Sequence, residues 1–224
     1  MSILVIEPPY HAKNLAFHQP LIELGLDLTR LNNCQAVNSV KIGGILVIGD
    51  AIRDDTRSAH WDVKDVRILD KALSKDLPIL ATGMGMNVLN ELFGGQSASA
   101  VDGHIEFDDE CKAISIKHSI YVSPGSKSAA ILGLGGFFNV NSQHFLGLTE
   151  SDRAKALLAS AYAVEDGVVE GLESTQHDWV IGFQSNIELL MEGPRAFKNI
   201  FLGLKERSES GDESKILGSL DISL

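Results

Sequence analysis

The 224-residue chain predicts an α/β fold in which a mostly parallel sheet lies between helical layers. In its first half, short apolar runs ended by Gly, Pro or acidic residues alternate with amphipathic stretches, the pattern of repeated strand–helix units. In its second half the runs follow one another without helical stretches, as in an antiparallel meander added to the sheet. Composition agrees: 44% of residues are hydrophobic and 22% charged, enough for a core without disulfides or a structural metal.

The elements follow in order. Residues 3–6 form a buried strand that Glu7-Pro8-Pro9 ends, and an amphipathic stretch then runs to Leu24, with Gly25 as its stop. Residues 26–31 and the run GGILVI at 43–48 are the next strands, punctuated by Gly49-Asp50. Between Arg53 and Asp76, the residues Val63, Val66, Ile68, Leu69, Ala72 and Leu73 recur at helical spacing. Residues 78–82 form a fourth strand, and residues 84–93 a helix that Gly94-Gly95 closes. Strands are then expected at 101–107, 111–116, 120–122, 137–140, 157–164, 168–173 and 179–183, with a turn at Asp166-Gly167 and a helix over 188–204. Residues 1–204 are read as one domain. Residues 205–224, rich in Ser, Glu, Asp and Gly through Ser214, are read as an acidic mobile tail.

A net charge of −11 repels phosphate backbones and anionic lipid, so neither nucleic acid nor a membrane is expected as a partner. Cys34 and Cys111 make no disulfide framework and suit a reducing compartment. The opening MSILVIEPPYH lacks the basic start of a signal peptide, and the longest uncharged stretch, 128–149, is too polar to cross a bilayer. A cytoplasmic location is the expectation.

The most informative segment is PILATGMGMN at 78–87, where a strand turns sharply into a helix. Such a turn places residue 83 at the carboxyl edge of the sheet and aims helix N-terminal N–H groups at that point. Hydrolases put a nucleophilic Ser or Cys at the apex of this turn, and here the apex is Gly83. Read instead as a phosphate-cradling loop, Gly83-Met84-Gly85 lacks the third glycine of the dinucleotide pattern, because position 88 is Val.

From this segment onward the chain resembles the class I glutamine amidotransferases, and within them the γ-glutamyl hydrolase-like branch. LATGMGMNVLNELFGG at 80–95 is similar to that branch's L-G-I-C-R-G-M-Q-L-L-N-x-x-x-G-G. HSIYVSPGSKSAAILG, VNSQH, DGVVEGLE and VIGFQSNIE, at 118–133, 140–144, 166–173 and 180–188, resemble four further motifs in the same order. The resemblance implies a flavodoxin-like three-layer sandwich with an additional antiparallel strand region. It also implies that the nucleophilic Cys falls on Gly83 and the catalytic His on Asn186, leaving Glu188 as the triad's acid. Glycine cannot form a thioester, and a neutral amide cannot take a nucleophile's proton. Met84, Asn87, Phe145 and Leu146 replace the family's Arg, Gln, His and Gln.

What the resemblance further implies is an oxyanion pocket from the Met84 N–H and the backbone near Gly49 and Asp50, with Asn87 beside it. Asn141, Ser142 and His144 would form a substrate wall. The expected protein has lost amide hydrolysis, needs no cofactor or metal, and keeps a site for a small carboxylate or amide ligand, with a homodimer as an open assembly. An active hydrolase using other residues, or a non-catalytic interaction scaffold, are the alternatives. Asp102, His104, Glu106 and Asp108 recur at period two; they are read as the solvent face of a hairpin rather than as a divalent-cation site.

Overall fold

The computed structural model describes residues 1–7, 18–30, 41–49, 63–110, 113–210 and 215–217. Asp50, Cys34 and Cys111 lie outside these residues. The parallel half is built from β1 (Ser2–Ile6), α1 (His18–Glu23), β2 (Leu28–Arg30), β3 (Ile42–Gly49), α2 (Val63–Ser74), β4 (Ile79–Gly83) and α3 (Met84–Leu92). Three two-residue strands follow, β5 (Ser99–Ala100), β6 (Glu106–Phe107) and β7 (Ala113–Ile114). The second half holds β8 (Ile116–Val122), α4 (Lys127–Leu132), β9 (Gly136–Ser142), β10 (Leu146–Gly147), β11 (Leu157–Ala163), β12 (Val169–Ser174), β13 (Val180–Phe183) and α5 (Lys198–Ser210).

Nine strands form one sheet in the order β2-β1-β3-β4-β13-β12-β11-β8-β9. Pairing is parallel from β2 to β13 and antiparallel from β13 to β9. Side chains alternate across this sheet, so each central strand feeds two cores. Ile3, Val5, Leu46, Ile48 and Leu80 pack with Phe197, Ile200 and Leu204 on one face. Leu4, Ile6, Ile45, Val47 and Ala81 pack with Ile68, Leu69, Ala72 and Leu89 on the other. Burial on both faces explains why β1, β3 and β4 read as continuous apolar runs. The layers are those of the expected flavodoxin-like sandwich. Among the described residues no helix is long and apolar enough to cross a membrane.

Three expectations need correction. Residues 101–105 are not a strand but a bend through Gly103, at φ +82°, between β5 and β6. The helix expected over 188–204 begins ten residues later, because Pro194 cannot supply an N–H; a 3-10 turn at Arg195–Phe197 then leads into α5. The expected end of that helix at 204 is also too early. Helix α5 continues to Ser210 with Ser208 buried, and buried Leu217 forms an antiparallel bridge to Ile42.

Helix α4, missing from the expected elements, shows why short helices escape periodicity. Its six residues are held by their ends, where the Ser126 side chain accepts from the Ala129 N–H at 3.0 Å. The Glu173 carboxylate accepts from the N–H groups of Lys127 and Ser128 at 3.1 and 3.2 Å. Ser126→Ala removes one of these acceptors and should cost about 1 kcal/mol, read as a lower urea midpoint at unchanged slope. No change in midpoint would mean that the Glu173 carboxylate alone suffices to cap α4.

Candidate active site at the β4–α3 elbow

Strand β4 runs into α3 with no intervening loop. Gly83 is both its last residue and the helix N-cap, at φ 56° and ψ −133°. Few L-residues adopt that conformation without strain. Gly83 lies opposite Gly49 in the β3–β4 register, and the two backbones approach closely. A Cβ built on Gly83 would stand 2.1 Å from the Gly49 carbonyl oxygen and 3.7 Å from Asn186 Oδ1. The space of a nucleophile's side chain is therefore filled by a backbone oxygen.

Beyond the elbow, Asn186 Nδ2 donates to Glu188 Oε1 at 3.2 Å, and both side chains are buried. Asn141 Nδ2 donates to the Asn186 carbonyl at 3.1 Å. On the first turn of α3, Asn87 Nδ2 lies 3.2 Å from Met84 Sδ, the contact that i,i+3 spacing allows. The structure thus gathers Gly49, Gly83, Met84, Asn87, Asn141, Asn186 and Glu188 around one sheet edge.

A second constellation stands on the antiparallel half. His104, His118, His144 and Glu170 are 3%, 9%, 2% and 0% exposed. Glu170 Oε1 is 3.4 Å from His104 Nδ1 and 3.3 Å from His144 Nε2, while Glu170 Oε2 is 3.7 Å from His118 Nε2. His104 Nε2 contacts Asp166 Oδ2 at 2.9 Å, and His144 Nδ1 contacts the Leu146 carbonyl at 3.0 Å. Burial pushes the His118 imidazole below its usual pKa, and the nearby His104 and His144 rings add to that against the opposing pull of Glu170. Burial raises the Asp166 carboxyl, but the His104 hydrogen bond and the Val168 N–H outweigh it and hold the pKa down.

The peptidase C26 family profile matches residues 49–186, more than half of the chain. The chain belongs to the peptidase C26 family. A Rickettsia prowazekii protein provisionally named glutamine amidotransferase-like is 27% identical over 186 residues, 65% of this chain and 62% of that one. A Schizosaccharomyces pombe protein provisionally named a glutamine amidotransferase is 32% identical over 146 residues, 64% of this chain and 52% of that one. The match spans less than two thirds of either relative's length.

Solved structures repeat the fold at low identity. The glutaminase domain of Trypanosoma brucei CTPS, with acivicin bound, superposes with TM-score 0.62 at 13% identity, covering 95% of each chain. A Thermotoga maritima glutamine amidotransferase gives TM-score 0.59 at 14% identity, covering 93% of this chain and 84% of that one. The peptidase C26 chain thus shares the class I glutamine amidotransferase fold.

One part of the predicted site is redistributed in this peptidase C26 protein. Gly49 places its carbonyl oxygen beside the Cβ position of residue 83, and Asp50 lies outside the described residues. The expected wall of Asn141, Ser142 and His144 is divided, because adjacent strand residues face opposite sides of a sheet. Asn141 bonds to Asn186, whereas Ser142 Oγ donates to the His104 carbonyl at 2.7 Å and His144 joins the histidine cluster. The solvent-face reading also fails for His104, which the bend at Gly103 turns inward, while Asp102 and Glu106 stay exposed. Sequence reasoning missed Glu170. Its one signal was a lone acid within VVEGL, since an acid in a buried strand demands a partner.

Proposed function

We propose that this peptidase C26 protein has lost the amide hydrolysis of the γ-glutamyl hydrolase-like branch and serves as a binding module for a small carboxylate or amide ligand at the elbow. One observation carries the reading: the apex residue has no side chain, and the Gly49 carbonyl oxygen stands where one would begin. A nucleophile is therefore missing twice over, as a functional group and as a volume. The Asn186–Glu188 pair supports the same conclusion. Its amide can hold a hydrogen bond to the carboxylate but cannot accept and return a proton near neutral pH.

What remains at the elbow suits ligand recognition. The N-terminus of α3 opens toward it with no side-chain cap, leaving its first N–H groups directed at an acceptor such as a carboxylate or amide oxygen. Met84 and Asn87, in contact with each other, give that end one apolar and one polar side chain.

The test uses the full chain with glutamine and a panel of γ-glutamyl amides. Ammonia or amine release is expected to stay at the level of a heat-inactivated control. The same panel should raise the melting temperature for at least one compound, since binding only the folded state stabilises it. Release above control defeats the loss of hydrolysis, and a panel that shifts nothing defeats the binding role.

A further inference from the structure

We propose that His104, His118 and Glu170, with His144 beside them, bind one divalent transition-metal ion of the zinc type, in a buried site separate from the elbow. The argument begins with Glu170. Its carboxylate is fully buried on β12, and neither oxygen has a hydrogen-bond donor among the described residues. Burying a carboxylate without a hydrogen-bond donor is among the costliest arrangements a fold can hold. Facing it are His104 Nδ1, His118 Nε2 and His144 Nε2, which also find no hydrogen-bond partner among the described residues.

The outer hydrogen bonds decide which ring nitrogens carry protons. His144 Nδ1 meets a carbonyl oxygen, so it must donate, which leaves Nε2 with its lone pair in the neutral ring. His104 Nε2 meets the Asp166 carboxylate, so it must donate as well, which leaves Nδ1 with its lone pair. Two unprotonated nitrogens then stand 3.4 and 3.3 Å from the same carboxylate oxygen with no hydrogen bond between them. That arrangement is repulsive unless a cation stands between them. A proton can bridge one nitrogen to one oxygen, whereas a metal ion satisfies the whole set.

The spacing fits the ion. Zinc bonds to nitrogen and oxygen at about 2.0–2.1 Å, so ligand atoms at the corners of a tetrahedron lie about 3.3–3.4 Å apart. The Glu170 oxygen lies 3.3 and 3.4 Å from the ring nitrogens of His144 and His104. The donor atoms of His104, His118 and Glu170 all lie within 4.8 Å of one another. Three imidazoles and a carboxylate form a borderline nitrogen–oxygen set of the kind zinc, cobalt and nickel prefer. Asp166 on His104 and the Leu146 carbonyl on His144 are the outer partners that fix the orientation and basicity of metal-bound imidazoles. All of these side chains are buried and none lies at the elbow, so the ion is structural. It would pin the 101–105 bend and the segment after β9 onto β8 and β12.

The experiment uses the full chain with any polyhistidine tag removed, stripped with a chelator and titrated with Co²⁺ and then Zn²⁺. One equivalent of Co²⁺ should bind with the visible absorption of a tetrahedral ion, Zn²⁺ should displace it, and Zn²⁺ should raise the melting temperature. Glu170→Gln and His118→Gln should each weaken binding by at least about 100-fold, Asp166→Asn by about 10–100-fold, and His177→Gln should leave it unchanged. Circular dichroism of each stripped variant reports folding, so a variant that loses structure is replaced by His104→Gln. Absence of binding to the parent chain, or binding that survives both Glu170→Gln and His118→Gln, overturns the proposal. Hydrolysis detected at the elbow would leave this inference standing, because none of its ligands belongs to that site.

Discussion

Gly83→Ala should destabilise the fold by about 2–6 kcal/mol, the sum of two separate costs. Holding a residue with a Cβ at φ 56° and ψ −133° costs about 1–3 kcal/mol. The new methyl would also stand 2.1 Å from the Gly49 carbonyl oxygen. That oxygen is backbone, paired in the β3–β4 register, so relief requires moving two central strands, at a further cost of about 1–3 kcal/mol. Urea unfolding of the variant and its parent measures the sum. A difference below about 0.5 kcal/mol, the scatter expected of neutral surface changes, would mean that the Gly49 carbonyl swings aside freely and does not fill the apex.

The second large effect is a gain. Gly83→Cys combined with Asn186→His should make the introduced thiol react with a glutamine-analogue electrophile at least about 100-fold faster than in Gly83→Cys alone, the range of a positioned general base. The geometry behind this is the 3.7 Å from Asn186 Oδ1 to the Cβ position at residue 83, and the 3.2 Å hydrogen bond onward to Glu188. Both variants should be less stable than the parent chain, because the cysteine Cβ meets the same Gly49 oxygen. Turnover should trail far behind labelling, since Met84, Asn87, Phe145 and Leu146 do not restore the substrate-reading groups of the resembling family. Equal labelling rates in the single and double variants would show that residue 186 does not serve residue 83.

The parallel half was legible because its strands are buried on both faces. Continuous apolar runs such as GGILVI leave little ambiguity, and the β4–α3 turn announced itself through Gly83 between a strand and a helix. The histidine cluster was illegible for the opposite reason. Its ligands come from a bend, from β8, from the segment after β9 and from β12, and only the sheet order brings those together. Period-two reasoning about Asp102, His104, Glu106 and Asp108 presumed extended backbone, and Gly103 breaks that premise by turning left-handed. Similarly, Asn141 and Ser142 were assigned to one wall although a strand must send neighbours to opposite faces. The start of α5 was misplaced because apolar residues on both sides of Pro194 resemble one helix until the missing N–H is counted.

Strand β13 lies at the centre of the sheet yet is the last of its nine strands to leave the ribosome. Its register joins Ile79 to Val180 and Thr82 to Phe183, partners separated by about a hundred residues. Until that segment emerges, β4 has one open edge, and the antiparallel meander has no strand pairing to the parallel half. The two halves can therefore collapse separately, but they close against each other only late, after a large loop-closure entropy has been met. During that interval the exposed edge of β4 is a hydrogen-bonding template for any extended chain nearby. Synthesis of this molecule thus carries a vulnerable window that its finished form conceals.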